Sequence, residues 1–315
     1  MMAVALTEWL ELIDKEYLNG FIVEGGAAVK FVVTDAAGRT RLAAAFAERA
    51  AGHGLILAEL RGAEVKLHMV QDVFFAISRR IDWEADAQRF VEAMFERRQY
   101  RWPAPGEPIA MKEIADANQI DATILSREFN KWLSSDLMSD ASMAQDFRIA
   151  MMQLCLNRFA PAGYEGDSVA PILQWLRGEL RGLGALKSAA IYSRITRHNA
   201  RAMLRSLCRW LRLAGHCGLL LTIDIHQLTE TAPDGMRYAP GAVMDAYEVL
   251  RQLVDDADLF AGLFLVVIAD AAFIGDDAKR SVGAYTALKM RIWDDVRARA
   301  RDNPLAPMVI LEAAR

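Results

Sequence analysis

The chain has 315 residues, of which 53% are apolar and 25% are charged, so it can bury a large core and does not have the composition of a disordered protein. Its net charge of −4 argues against a protein that coats nucleic acid or anionic membranes with its whole surface, although a local basic patch remains compatible with it. The three cysteines have no paired spacing, which argues against a zinc site or a disulfide framework.

Membrane insertion and secretion are not expected from the sequence. No uncharged run reaches the roughly 18 residues of a membrane span. Near the start of the chain, Glu8, Glu11 and Asp14 interrupt the apolar residues, which is not typical of a signal peptide. We therefore expect a cytoplasmic protein that does not bind membranes.

The first predicted elements alternate between helix and strand. Residues 7–19 have the apolar spacing of an amphipathic helix, and the β-branched run 29–33 predicts a buried strand. Residues 34–40 are expected to form a polar loop, 41–51 a helix and 55–60 a second strand. Two strands joined by a helix pair in parallel by default.

Further along the chain, helices dominate before strands return. Residues 66–100 and most of 109–214 have helical patterns. The apolar runs 218–224 and 263–268 predict central strands, and 308–311 predicts an edge strand.

This order predicts an α/β protein with a mostly parallel sheet flanked by helices and a large helical insertion. The expected division is 1–83 and 201–315 for the two halves of the α/β domain, with 84–200 as the insertion.

The segment after the first strand matches half of a phosphate-binding loop. Such a loop has the pattern G-x4-G-K-[ST], in which backbone N–H groups and the lysine contact phosphates and the hydroxyl holds magnesium. Gly38 and Thr40 match the end of the pattern, whereas Arg39 replaces the lysine and Val33 the first glycine. Asp35 adds a negative charge beside the expected phosphate. An ordinary strand–helix turn with a capping residue is the alternative.

A second candidate position follows the strand 218–224. Asp224 ends this strand, as a magnesium-binding carboxylate does in P-loop enzymes, but it can also be a simple strand-end cap. The next residue is Ile225, which cannot accept a proton, so general-base catalysis has no obvious agent. His226 is a weak substitute, because a single histidine at a strand end is more often structural.

Several short stretches follow one another in a characteristic order across nearly the whole chain. They are 16–18, 25–26, 30–33, 175–179, 203–207, Gly215, 218–221, Tyr285, Leu288, Arg291 and 303–304. Together they resemble the ATP-binding proteins of BREX-type bacterial phage-defence systems, a P-loop family related to the AAA+ and origin-recognition ATPases.

The resemblance implies a P-loop NTPase-like fold, with ATP and magnesium as cofactors at Gly38, Arg39, Thr40 and Asp224. This sequence departs from the family pattern at Val33, at Arg39 and at Ile225, and its fourth strand ends in Asp270, where a polar sensor residue is expected. The departures predict a degenerate ATPase-like subunit that does not hydrolyse ATP, has no certain cofactor and works beside an active ATPase or helicase of the same system. A working ATPase with atypical motifs is the first alternative.

A DNA-binding module in the helical insertion is the second alternative. Residues 109–134 have the pattern of a helix-turn-helix, which would place Arg127 and Lys131, with Thr123 and Asn130, against DNA. Tight packing between helices gives the same pattern.

A row of arginines further along the chain is a second candidate surface. Arg197, Arg201, Arg205 and Arg209 follow at steps of four residues, which predicts a basic stripe on one helix. Such a stripe can be a solvated face, a surface for a protein partner or a contact to nucleic-acid phosphates.

Overall fold

The computed structural model describes residues 3–104, 106–107, 109–159, 169–229, 238–293 and 303–312. The chain divides into two compact units, which are an α/β unit of Met1–Ile77 with His216–Arg315 and a helical unit of Ser78–Gly215. The predicted boundaries at 83/84 and 200/201 stay a prediction about domains.

The strands of the α/β unit are β1 (Ala27–Val33), β2 (Leu55–Arg61), β3 (Gly218–Asp224), β4 (Leu263–Ala269) and β5 (Met308–Ile310). They form one parallel sheet in the order β2-β3-β4-β1-β5. The predicted α/β class with a parallel sheet is therefore confirmed, and each apolar run that predicts a strand overlaps one, although β5 ends one residue before the predicted run 308–311 does.

The helices in chain order are α1 (Leu6–Ile13), α2 (Ala36–Gly52), α3 (Val70–Ser78), α4 (Trp83–Arg97), α5 (Met111–Ala117), α6 (Ala122–Leu133), α7 (Gln145–Asn157), α8 (Val169–Arg177), α9 (Ala200–Leu213), α10 (His226–Thr229), α11 (Pro240–Asp255) and α12 (Thr286–Ile292). None of the helices in the described part of the chain combines the length and the apolarity that crossing a membrane requires.

Helices cover both faces of the sheet. On one face, Phe264 and Val266 of β4 lie in one buried cluster with Leu42 and Phe46 of α2. On the other face, Phe31 of β1 stacks on Phe273 with 6.1 Å between ring centroids. Burial on both sides explains why the central strands are apolar without alternation.

The direction of the connections between strands places a crevice at the carboxyl ends of the strands. In the strand order β2-β3-β4-β1-β5, the chain leaves β1 towards the β2 end of the sheet. It leaves β3 and β4 in the opposite direction, towards the β5 end. Right-handed crossovers running in opposite directions leave the sheet on opposite faces. A crevice therefore opens at the carboxyl ends of β1 and β4, the usual ligand position in such sheets.

The helical pattern predicted for most of 109–214 is wrong over 178–199. That stretch is mostly not α-helical, and positive φ values of 74° at Gly178 and 59° at Ala190 interrupt a right-handed helix there.

The predicted helix over 66–100 is two helices, α3 and α4, because Asp82 caps a new start by accepting a hydrogen bond from the backbone N–H of Ala85 at 3.1 Å. α5 and α6 are joined by a tight turn, in which Gln119 has a φ of 56°. This arrangement agrees with the predicted helix–turn–helix pair and says nothing about DNA.

Candidate functional site

The turn after β1 is shorter than the predicted loop. Helix α2 begins at Ala36, so the prediction of a loop over 34–40 was wrong from residue 36 onward. Asp35 has an extended backbone and its Oδ1 accepts a hydrogen bond from the backbone N–H of Gly38 at 2.7 Å. This N-cap satisfies a free N–H of the first turn and starts the helix early.

The residue in the position of the first P-loop glycine belongs to the sheet. Val33 is the last residue of β1 and is in register with Ala269 of β4 and Ile310 of β5. Only Thr34 and Asp35 connect β1 to α2, so few backbone N–H groups remain outside regular structure to surround a phosphate.

Gly38 is required by close packing in the first turn of α2. A Cβ atom placed on Gly38 would lie 1.9 Å from the Thr34 hydroxyl oxygen. That oxygen is buried and has no hydrogen-bond partner among the described residues. The glycine that matches the phosphate-loop pattern therefore also has a local packing role.

Charged side chains at the carboxyl ends of β1 and β3 meet each other. Arg39 Nε lies 3.6 Å from Asp224 Oδ2, and both side chains are 19% exposed. The other carboxylate oxygen of Asp224 lies 2.7 Å from His226 Nδ1. The structure thus brings Arg39 and Asp224 together, because parallel strands end at the same rim of a sheet. The Thr40 hydroxyl donates to the Ala36 carbonyl oxygen at 3.2 Å, within its own helix.

Residues around this pair complete the crevice. Ile225 is fully buried and its backbone N–H donates to the Ile268 carbonyl at 2.8 Å. The Thr229 hydroxyl lies 2.9 Å from Asp270 Oδ1. An open pocket of about 390 Å³ lies at the carboxyl ends of β1, β4 and β5; its lining includes Thr34, Asp35, Arg39 and Asp270.

Comparison with known protein families gives a match over nearly the whole chain. A sequence model of the family described as BREX system ATP-binding protein BrxC/D matches residues 2–314. The chain belongs to this family. The resemblance found in the sequence is therefore confirmed. No curated protein and no solved structure matches the chain.

One contact in this BREX protein was missed by sequence reasoning, whereas the cap at Asp35 was one of two readings. Asp35 is the N-cap of α2, which agrees with the alternative of a strand–helix turn with a capping residue. The Thr229–Asp270 contact joins the ends of different strands, and no local pattern indicates it.

The predicted arginine stripe needs correction. Arg197 lies before α9, which begins at Ala200, so it does not belong to the helical row. Arg201, Arg205 and Arg209 are on α9, and Arg209 Nε lies 2.8 Å from Asp140 Oδ2. Arg209 is therefore compensated by an acid that is distant in sequence.

The two predicted cations of the helix–turn–helix pair lie on α6. Arg127 and Lys131 are both exposed there. Lys131 Nζ lies 2.6 Å from Glu128 Oε1, so its charge is partly compensated within the same helix.

Proposed function

We propose that this BREX system protein is a subunit that does not hydrolyse ATP and that acts beside an active ATPase or helicase of the same system. The observation that carries the proposal is the ion pair between Arg39 and Asp224. It joins the residue in the place of the P-loop lysine to the residue in the place of the magnesium carboxylate.

The start of α2, where a phosphate would bind, is already occupied by a carboxylate. A helix N-terminus attracts anions through its free N–H groups and its dipole. At α2 the Asp35 carboxylate already accepts from the Gly38 N–H at 2.7 Å. A nucleotide phosphate would have to displace this carboxylate and would meet its negative charge, so the residues as arranged do not fit a phosphate.

The residues in the places of the magnesium ligand and the general base do not suit hydrolysis. Asp224 has one oxygen 3.6 Å from Arg39 and the other 2.7 Å from His226, so both oxygens have partners within the protein. The next residue, Ile225, has no exposed surface and no group that accepts a proton. This arrangement supplies neither a free carboxylate for magnesium nor a base to activate water.

An ATPase assay tests the proposal directly. Phosphate release by the purified chain should stay at the background level with ATP and magnesium, and Asp224→Ala should leave that level unchanged. Release above background that Asp224→Ala abolishes would contradict the proposal and favour the working-ATPase alternative.

Nucleotide binding is measured separately by thermal unfolding. A ligand at about 100 times its dissociation constant stabilises a protein by about 2.7 kcal/mol, so millimolar ATP with magnesium detects even weak binding. We expect no stabilisation of the wild type.

Asp35→Asn keeps an oxygen for the cap and removes the charge, so it tests whether that charge excludes phosphate. Wild-type stabilisation that Asp35→Asn does not change would contradict this role of Asp35.

A second candidate function is duplex DNA binding through α6. It is favoured by the exposed side chains of Thr123, Arg127, Asn130 and Lys131 on one helix after a tight turn. Gel-shift measurements with Arg127→Glu test it. Duplex binding that survives this change would exclude α6 as the contact.

A further inference from the structure

Positive charge is concentrated in one stretch of the chain that the proposed function does not use. From Leu180 to Ile223 the sequence has no Asp or Glu but contains eight Arg and Lys residues, whereas the whole chain has a net charge of −4. The first part of this stretch, residues 181–198, precedes α9, and we call it the basic segment.

The basic segment is held in place by apolar anchors. Leu186, Ala189 and Ile191 have no exposed surface, and Ile195 is 6% exposed. The exposed side chains of the segment include Arg181, Lys187, Tyr192, Arg194, Arg197 and His198. Because buried residues alternate with these exposed ones, the cations project from an anchored backbone.

Hydrogen bonds fix the backbone around Tyr192. The indole N–H of Trp175 donates to the Ser193 carbonyl at 3.0 Å, and the Asn199 side-chain amide donates to the Arg194 carbonyl at 3.0 Å. The Arg194 guanidinium donates to the Arg181 carbonyl at 3.1 Å. Tyr192, beside these contacts, is 69% exposed.

Acidic groups near the segment are already engaged. Glu179 lies 3.6 Å from Arg79, and an Asp146 oxygen accepts a hydrogen bond from the Ser193 hydroxyl. In the described parts of the chain, no carboxylate forms an ion pair with Arg181, Lys187, Arg194 or Arg197. Their charge is therefore available to an external anion.

We propose that the basic segment binds single-stranded nucleic acid, with its arginines on phosphates and the Tyr192 ring stacked on a base. Cations on a strand's phosphates and an exposed aromatic ring against an unstacked base are the two elements of such sites. A duplex hides its base faces, and an acidic protein surface would not require the ring. An irregular segment is also unlike the helices that enter a major groove.

Fluorescence anisotropy with a labelled oligothymidine and a labelled hairpin duplex tests this proposal on the full chain without nucleotide. We expect the wild type to bind the single strand more tightly than the hairpin at low salt. Arg194→Glu with Arg197→Glu should weaken single-strand binding at least about tenfold and make its salt dependence shallower. Tyr192→Ala should weaken it about tenfold without changing the salt dependence.

A matched control separates a local contact from a net-charge effect. Lys15→Glu with Arg61→Glu makes the same change in net charge at side chains that are 76% and 65% exposed. We expect this variant to lose much less affinity than the double variant of the basic segment. Equal losses in both, no single-strand binding at low salt, or unchanged binding by Tyr192→Ala would each overturn the proposal. Circular dichroism of each variant shows whether the fold is retained.

Discussion

The α/β unit and the basic segment of the helical unit differ in how they compensate their charges. At the crevice of the α/β unit, Arg39 faces Asp224, and on α11 the Arg251 guanidinium lies 2.6 Å from Glu248. In the basic segment, by contrast, Arg194 and Arg197 have no carboxylate partner among the described residues.

This difference separates a site that is satisfied within the protein from a surface that is not. A cation and a carboxylate that already neutralise each other gain little from a charged ligand, because the ligand must first break their contact. Cations that face water keep their full attraction for an external anion. An anionic ligand is therefore expected at the basic segment more readily than at the crevice of the α/β unit.

The largest expected effect concerns a buried cation of the α/β unit that no carboxylate compensates among the described residues. Lys30 of β1 is 5% exposed; its Nζ donates to the Leu305 carbonyl at 2.5 Å and lies 4.7 Å from the Tyr17 ring centroid. Burial lowers the pKa of Lys30 to about 8, from 10.5. Between these two values the unfolded chain binds a proton that the folded chain does not, so wild-type stability should rise with pH there.

The rise attributable to Lys30 is up to about 3 kcal/mol. It is measured as the difference in urea-unfolding free energy between the wild type and Lys30→Met at several pH values. Below pH 8 the cost of burying the charge is fully present, so Lys30→Met should be relatively most stable there. If the difference in unfolding free energy between the wild type and Lys30→Met stays constant from pH 7.5 to 10.5, the carbonyls and the ring compensate the charge of Lys30 fully.

The second prediction tests how tightly the turn beside the crevice is packed. Gly38→Ala should destabilise the protein by about 1–3 kcal/mol, because the new methyl group overlaps the Thr34 hydroxyl. Thr34→Ala removes that hydroxyl, so the double variant should recover most of the loss. Thermal or urea unfolding measures the stability of the three variants. If the destabilisation of the double variant equals the sum of the two single effects, the methyl group added by Gly38→Ala and the Thr34 hydroxyl do not clash.

The elements predicted best from the sequence are those whose pattern has one cause. The run 263–268 is apolar because both faces of β4 are covered, and few arrangements besides a buried strand produce so short a continuous apolar run. The meeting of Arg39 with Asp224 is likewise predictable, since parallel strands end at one edge of a sheet.

Other features were not predictable because two causes compete or because the partner is remote. The residues around Gly38 match both a phosphate loop and a capped helix start, and only the position of Asp35 against the Gly38 N–H decides between them. Asp140 and Arg209 are 69 residues apart, so no local spacing indicates their pairing.

The third prediction concerns Arg201 and Arg205 of α9. Arg201→Glu with Arg205→Glu should leave the fold intact and weaken binding to a partner protein of the same BREX system or to DNA by about tenfold, on the order of 1.4 kcal/mol. The reason is that arginines at steps of four residues concentrate positive charge along one side of α9, which attracts an anionic surface. Unchanged binding to every candidate partner, with the fold retained, would identify the row as a solvated or internally paired face.

The smallest expected effect is at Arg209, the α9 arginine that pairs with Asp140. Burial raises the pKa of Asp140, but hydrogen bonds from Ser142 and Arg209 outweigh it and hold the pKa below its usual value. A lowered carboxyl pKa stabilises the fold above the unfolded-state pKa near 3.8, and this stabilisation is lost as the pH falls through the folded value. Because the Arg209 side chain is 42% exposed, water screens the pair, and a double-mutant cycle of Arg209→Ala and Asp140→Ala should give a coupling below about 1 kcal/mol at pH 7. The coupling should disappear as the pH falls through the folded pKa of this carboxyl. A coupling that does not decrease with falling pH would show that packing, rather than charge, joins the two side chains, and Arg209 would then no longer count as a compensated cation.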